Sequence, residues 1–323
     1  MVGEMSTHTP RPIDVPVPGG ALRVIVWEPS PPAAPGGPTP TVLLVHGVTS
    51  SHLAWVDVVA ALPGVRLIAP DLRGRGRSRD VAGPAGMVRH ADDLAAVLDH
   101  LGIDALPVVG HSMGAFVSVV LAARHPARVR SLTLVDGGLP LPIPAGLTPD
   151  QVVDAVLGPT AQRLSRRFAS RETYLDFWRD HPAFAADWSA TIEDYFAYDL
   201  VPDGEAFRPA TSYETTAADT IDLTTGQTLP AALAALADLG IPAHLITVPR
   251  GLQDEPPGLY PADGLTELLA AYPWLTHERI ETRNHYTIVM SPAGARLVAG
   301  AIPLPETQPG TQPGTQPDQE AAR

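Results

Sequence analysis

The sequence predicts an α/β protein, a mostly parallel, doubly wound sheet interrupted by a helical cap insertion. Three observations lead there. Short β-branched runs alternate with segments of helical period over residues 13–138. The alternation then gives way to helical stretches and loops over 139–230, and it resumes over 231–303. A strand, a helix and a further strand in succession form a parallel sheet with helices on both faces, because the crossover must pack back onto the sheet.

Ala21–Trp27 and Thr41–Val45 are β-branched-rich strands, joined by the proline- and glycine-rich stretch Pro29–Pro40, which reads as a surface loop. A helical stretch, Trp55–Leu62, precedes the apolar run Val65–Ala69. From Gly86 to Leu101 a helix places Leu94, Val97, Leu98 and Leu101 on one face. Leu106–Val109 leads into a turn at Gly110-His111-Ser112-Met113-Gly114. A helix follows over Met113–Arg124, with Phe116, Val117, Val120 and Leu121 expected inside, and then the strand Val129–Val135. Within 139–230, Thr148 before Pro149, and Ser170 close to Glu172, are helix starts, and no strand is expected. Ala231–Leu239, the strand Ala243–Val248, a helix near Leu265–Ala271, the strand Thr276–Glu281 and a last helix from about Tyr286 complete the core. Residues 1–12 and 304–323 read as disordered. The latter repeats Thr-Gln-Pro-Gly and has little apolar surface to offset its ordering entropy.

Composition narrows the chemistry. A formal net charge of −13 argues against nucleic acid or an anionic membrane as partner, and no apolar run is long enough to span a bilayer. The first residues lack a secretory pattern, so a cytoplasmic location is expected. There is no cysteine, which excludes thiol nucleophiles and thiolate metal sites. There is no lysine either: every basic residue is arginine, which removes Schiff-base and Ser-Lys chemistry. An activated serine in this chain must therefore use histidine as its base. No histidine pair has metal-ligand spacing, so neither a metal nor another cofactor is expected. The expected partner is a small-molecule substrate, and oligomeric state is not readable from the sequence.

Ser112 is the candidate nucleophile. It is held between two glycines at a strand-to-helix turn, where a Cβ at Gly110 or Gly114 would collide with the neighbouring strand or helix. A hydroxyl needs a base, and the base needs a carboxylate to hold its tautomer. His285 lies between the last strand and the last helix. Asp254 ends Gly251-Leu-Gln-Asp just beyond a strand and is the favoured acid; Asp136, after Thr133-Leu-Val, is the alternative. The arginines at 73, 75 and 77 read as a solvated loop, with Asp71 and Asp80 nearby.

Four motifs now stand in order: Val45-His46-Gly47 after a strand, Asp71-Leu-Arg-Gly-Arg-Gly-Arg-Ser78 after the next, the serine turn, and the late Gly-x-x-Asp with its following histidine. Together they resemble the serine hydrolases of the α/β-hydrolase fold that carry a helical cap, over about residues 13–303. The resemblance implies a carboxylic ester or lactone hydrolase working through an acyl-enzyme. It implies an oxyanion hole from the backbone N–H groups of Val48 and Met113. It favours Asp254 as the acid, although some members carry theirs where Asp136 stands. The cap segment holds 11 of the 18 aromatic residues, which suggests an apolar or aromatic substrate of small to medium size. His46, Gly47, His111, Trp178 and Tyr195 are candidate substrate contacts, with His46 also readable as a structural ring bonded to backbone. The alternatives are a carbon–carbon bond hydrolase of the same fold and a ligand-binding homologue without turnover.

Overall fold

The computed structural model describes residues 7–30, 39–144 and 146–304, less the side chains of 159 and 161. Eight strands make the main sheet: β1 (His8–Val17), β2 (Gly20–Pro29), β3 (Thr41–Val45), β4 (Arg66–Pro70), β5 (Leu106–His111), β6 (Val129–Val135), β9 (Ala243–Thr247) and β10 (Leu275–Arg279). The inserted hairpin is β7 (Leu200–Asp203) and β8 (Ala206–Pro209). The helices are α1 (Val56–Ala60), α2 (Met87–His100), α3 (Met113–Arg124), α4 (Pro149–Leu157), α5 (Pro159–Gln162), α6 (Arg171–Arg179), α7 (Ala190–Tyr198), α8 (Tyr213–Thr225), α9 (Thr228–Leu239), α10 (Ala262–Ala270) and α11 (Pro292–Gly300).

The strand order is β1-β2-β4-β3-β5-β6-β9-β10. β1–β2 and β2–β4 pair antiparallel, and every other neighbouring pair is parallel. Helices cover both faces. On one, α2, α3 and α9 pack with Leu43, Val45 and Val108. On the other, α1, α11 and the aromatic rings of the inserted segment pack with Val42, Leu44 and Val109. Strands buried on both faces read as unbroken apolar runs, which is why β3 to β6 were plain in the sequence.

Three expectations are corrected. Residues 8–12 are not disordered: they begin β1, whose prolines at 10, 12 and 16 suit only an edge strand, where a missing N–H costs no ladder bond. The inserted segment contains the hairpin β7–β8, too short for periodicity to reveal. The last helix starts at Pro292, with Ser291 as its cap, because Asn284 Oδ1 accepts from the amides of Tyr286 and Thr287 and holds that stretch in a separate turn. The helix starts at Thr148 and Ser170 are both present, each side chain accepting from the N3 amide. The stretches 1–6, 31–38 and 305–323, and with them most of the expected surface loop and tail, lie outside the described residues.

Candidate active site

β5 ends at His111, and α3 begins at Met113, so the chain must reverse from extended to helical within one residue. Ser112 takes that strain, with φ 54° and ψ −126°. This is left-handed backbone that a side chain rarely adopts and that marks sites whose surroundings over-determine them. The turn is possible only because the backbones touch. A Cβ on Gly114 would lie 2.0 Å from the Val45 carbonyl oxygen, and one on Gly110 would lie 2.3 Å from that of Gly114.

The next strand supplies the carboxylate. β6 lies beside β5, and Ser112 donates its backbone N–H to the Val135 carbonyl at 2.9 Å. Asp136 follows immediately with φ 44°, an orientation Asp tolerates better than most residues. Its side chain is fully buried, and Oδ2 accepts from His285 Nδ1 at 2.6 Å. Gly137 then passes so close to Ser112 that a Cβ would come within 2.3 Å of the Ser112 carbonyl oxygen.

Asp254 does not face His285 in this way; the carboxylate that reaches the ring is that of Asp136, the alternative acid. It stands after β9, one strand further from Ser112, and it is partly exposed at the surface. Its Oδ1 accepts from Asn284 Nδ2 at 2.9 Å and its Oδ2 from Arg250 Nη1 at 3.2 Å. Asp254 thus braces the turn that carries the histidine, one residue away from it. The discriminating fact is spatial: β6 adjoins the serine strand and β9 does not. Motif position along the chain could not supply that.

His285 is buried, and Ser112 and His285 open on one cavity. Its wall includes Gly47, Val48, His111, Met113, Tyr195 and Leu223. The wall is mainly apolar, and besides Ser112 its hydroxyl-bearing residues are Thr49, Ser50, Thr160, Tyr195, Thr220 and Tyr286. The cavity volume is about 40 Å³. The amides of Val48 and Met113 have no protein acceptor among the described residues; that of Met113 is one of the orphan donors at a helix N-terminus.

The remaining expected contacts divide. Gly47, His111 and Tyr195 line the cavity. His46 and Trp178 do not. The His46 ring is wholly buried, donating through Nδ1 to the Gly47 carbonyl and accepting at Nε2 from the Leu72 amide. Burial holds its pKa down to about 4, so the ring is a neutral brace between two loops. Trp178 stacks on Phe196 at 4.0 Å between ring centroids and lies under the Arg163 guanidinium. It is core of the inserted segment. His111 donates through Nε2 to the His285 carbonyl at 2.7 Å, and burial, then the neighbouring His285, pushes its pKa well below that of a free imidazole.

The arginine run is corrected as well. Only Arg77 is exposed; Arg73 and Arg75 are buried ion-pair partners. Arg73 is bound through two nitrogens to Asp93. Arg75 pairs with Asp219 of α8, an acidic residue that sequence reasoning did not single out. Asp71 is bonded to His52 and to the Tyr198 hydroxyl, so it is not a surface counter-charge either. The alternating Arg-Gly pattern gave no hint of burial, because partners 20 and 144 residues away create it.

Sheet order, serine turn and buried carboxylate–histidine pair together define an α/β hydrolase, and the chain belongs to that fold class. Residues 40–200 match the family model described as alpha/beta hydrolase fold. Lipase LipV of Mycobacterium tuberculosis is 41% identical over 123 residues, 38% of this chain and 45% of that protein. A putative carbamate hydrolase, RutD, of Azorhizobium caulinodans is 38% identical over 103 residues, 32% of this chain and 38% of that protein. The chain therefore spans less than half the length of these curated relatives. Among solved structures, E-2-(acetamidomethylene)succinate hydrolase superposes with a TM-score of 0.68 at 22% identity, over 91% of this chain and 97% of that one. At that identity the likeness speaks for the fold. Among the described residues no helix is long and apolar enough to cross a membrane.

Proposed function

We propose that the protein is a serine hydrolase of carboxylic esters with a short, uncharged acyl group. The observation that carries this is the buried Asp136–His285 pair behind Ser112, opening on a mainly apolar cavity. In this reading Asp136 holds the His285 tautomer with Nδ1 protonated, leaving Nε2 free to take the Ser112 proton. Ser112 Oγ adds to the ester carbonyl, and the oxyanion forms against the amides of Val48 and Met113. Collapse expels the alcohol, protonated by His285. Water, deprotonated by the same ring, then releases the acid and restores the serine.

Substrate class follows from the wall and its size. Aside from His285 and the neutral His111, the lining is apolar or hydroxylic, so a charged acyl group would be desolvated without a partner. The space is also small against the roughly 150 Å³ of an apolar cavity that takes benzene. The inserted segment between β6 and α9, through Leu157, Tyr195 and Leu223, forms the roof and acts as a cap. Support for hydrolysis also comes from the names of the partial relatives, a lipase and a carbamate hydrolase.

A nitrophenyl ester series tests this. Acetyl to butyryl esters should give the highest kcat/KM, with a decline towards octanoyl. A profile that rises with chain length would contradict the size argument. Turnover of a vinylogous diketone without ester turnover would transfer the site to carbon–carbon bond hydrolysis.

A further inference from the structure

Arg75 occupies an unusual position for a fully buried cation. Its Nε donates to the Val48 carbonyl at 2.8 Å, one Nη donates to the Arg73 carbonyl at 2.8 Å, and the other lies 3.8 Å from Met113 Sδ. It therefore touches both residues whose amides the proposed mechanism uses for the oxyanion, Val48 through its carbonyl and Met113 through its side chain. The charge is balanced from outside the core fold: Asp219, on α8 of the inserted segment, lies 2.6 Å away, and both side chains are fully buried. Asp219 is itself anchored, its Oδ1 accepting from the Gly86 amide at 2.6 Å and its Oδ2 meeting His90 Nε2 at 3.0 Å. The neighbouring Asp222 accepts from the Met87 amide at 2.7 Å, so α8 is fastened to the start of α2 at two points.

We propose that Arg75 and Asp219 are positioning residues that fix the oxyanion loop through the docked cap. The Val48 N–H shares its peptide plane with the Gly47 carbonyl, which His46 Nδ1 and the Ser50 amide hold. The Val48 carbonyl of the next plane is held by a guanidinium that makes several bonds at once, so the donor is pinned from both sides. That guanidinium keeps its place because Asp219 neutralises it in a site where both side chains are fully buried. Removing the carboxylate leaves a buried cation free to seek other acceptors, and the loop loses its fixed reference. The cap then does more than roof the cavity: its docking completes the loop that stabilises the developing oxyanion.

This inference rests on the serine-hydrolase reading, and its test separates the two. Asp219→Asn keeps the shape and removes the charge. The measurements are kcat and KM for butyryl nitrophenyl ester, and inhibition by a trifluoromethyl ketone carrying the same acyl chain. That ketone accepts Ser112 Oγ at its carbonyl carbon, passes the serine proton to His285 and leaves an oxyanion in the hole; the matching methyl ketone serves as the ground-state control. In the folded variant kcat should fall about 10–100-fold, with KM changed less than about threefold. Trifluoromethyl ketone affinity should weaken in parallel while methyl ketone affinity holds, and the pH midpoints of kcat/KM should stay where they are, because the His285–Asp136 pair is intact. A merely structural loss would lower the active fraction and leave the inhibition constants alone. Should the Asn variant fail to fold, Arg75→Lys carries the test with the same expected pattern, since it keeps a charge facing Asp219 and loses the Nε that reaches Val48. A folded variant with unchanged kcat and inhibitor affinity, or a rise in KM alone, would overturn the assignment. A wild-type chain that neither hydrolyses esters nor forms the ketone adduct would overturn the enzyme reading itself.

Discussion

Replacing Asp136 by Asn should nearly abolish turnover, whereas the same change at Asp254 should leave most of it. Asp136 Oδ2 sits 2.6 Å from His285 Nδ1 with both groups buried, so no water can take over the acceptor role. An amide there can donate to Nδ1, which drives the ring into the tautomer with Nε2 protonated and unable to accept the serine proton. It also removes the charge that stabilises the imidazolium. A loss of about 10⁴-fold in kcat follows from such a tautomer inversion, which corresponds to about 5 kcal/mol at the barrier. Asp254 offers a contrast within the same protein. Its ion pair with Arg250 is surface-exposed and worth about 0–1 kcal/mol. An Asn keeps an oxygen that can still accept from Asn284 Nδ2, so kcat should fall by no more than about tenfold. Steady-state hydrolysis of an acetyl or butyryl nitrophenyl ester by both variants, checked for folding by circular dichroism, measures the difference. If Asp254→Asn is the inactive one and Asp136→Asn turns over near the wild-type rate, the reasoning from strand adjacency is wrong.

Other expectations concern stability and the cavity wall. Below pH 6.5 the unfolded chain protonates His46 and His111, while burial keeps both rings neutral in the fold, His46 down to about 4. The unfolded state thus binds more protons, so stability should fall with pH by up to about 1.4 kcal/mol per unit for each ring below 6.5. Urea unfolding between pH 7.5 and 5 reads this as a falling midpoint; a midpoint that rises would contradict it. Trp178→Ala should cost about 3–5 kcal/mol of stability, because it removes a buried ring stacked on Phe196. A change within experimental error would mean that the inserted segment is packed differently. Leu223→Ala, which enlarges the cavity wall, should move the acyl preference towards longer chains; an unaltered profile would place the acyl group elsewhere.

The core strands and the serine turn were legible because their causes are local. Doubly buried strands read as apolar runs, and Gly110 and Gly114 mark a backbone crossing that a Cβ would block. His285 was singled out by its place between the last strand and the last helix, in a chain whose lack of lysine and cysteine leaves histidine as the base available to a serine. Which aspartate meets the His285 ring was not legible, because both follow parallel strands and only the order of those strands in space decides between them. Arg75 and Trp178 were misread for related reasons. A charged residue amid glycines looks solvated until its partner, Asp219, folds over it. An aromatic residue looks like a ligand contact until its own ring neighbours are known.

The central claim is that Ser112 is a nucleophile activated by His285 and Asp136. A fluorophosphonate probe followed by peptide mass spectrometry tests it most directly. One covalent adduct is expected, on Ser112, absent from Ser112→Ala and formed far more slowly in Asp136→Asn than in Asp254→Asn. No adduct, an adduct on another residue, or equal labelling rates in the two aspartate variants would contradict it.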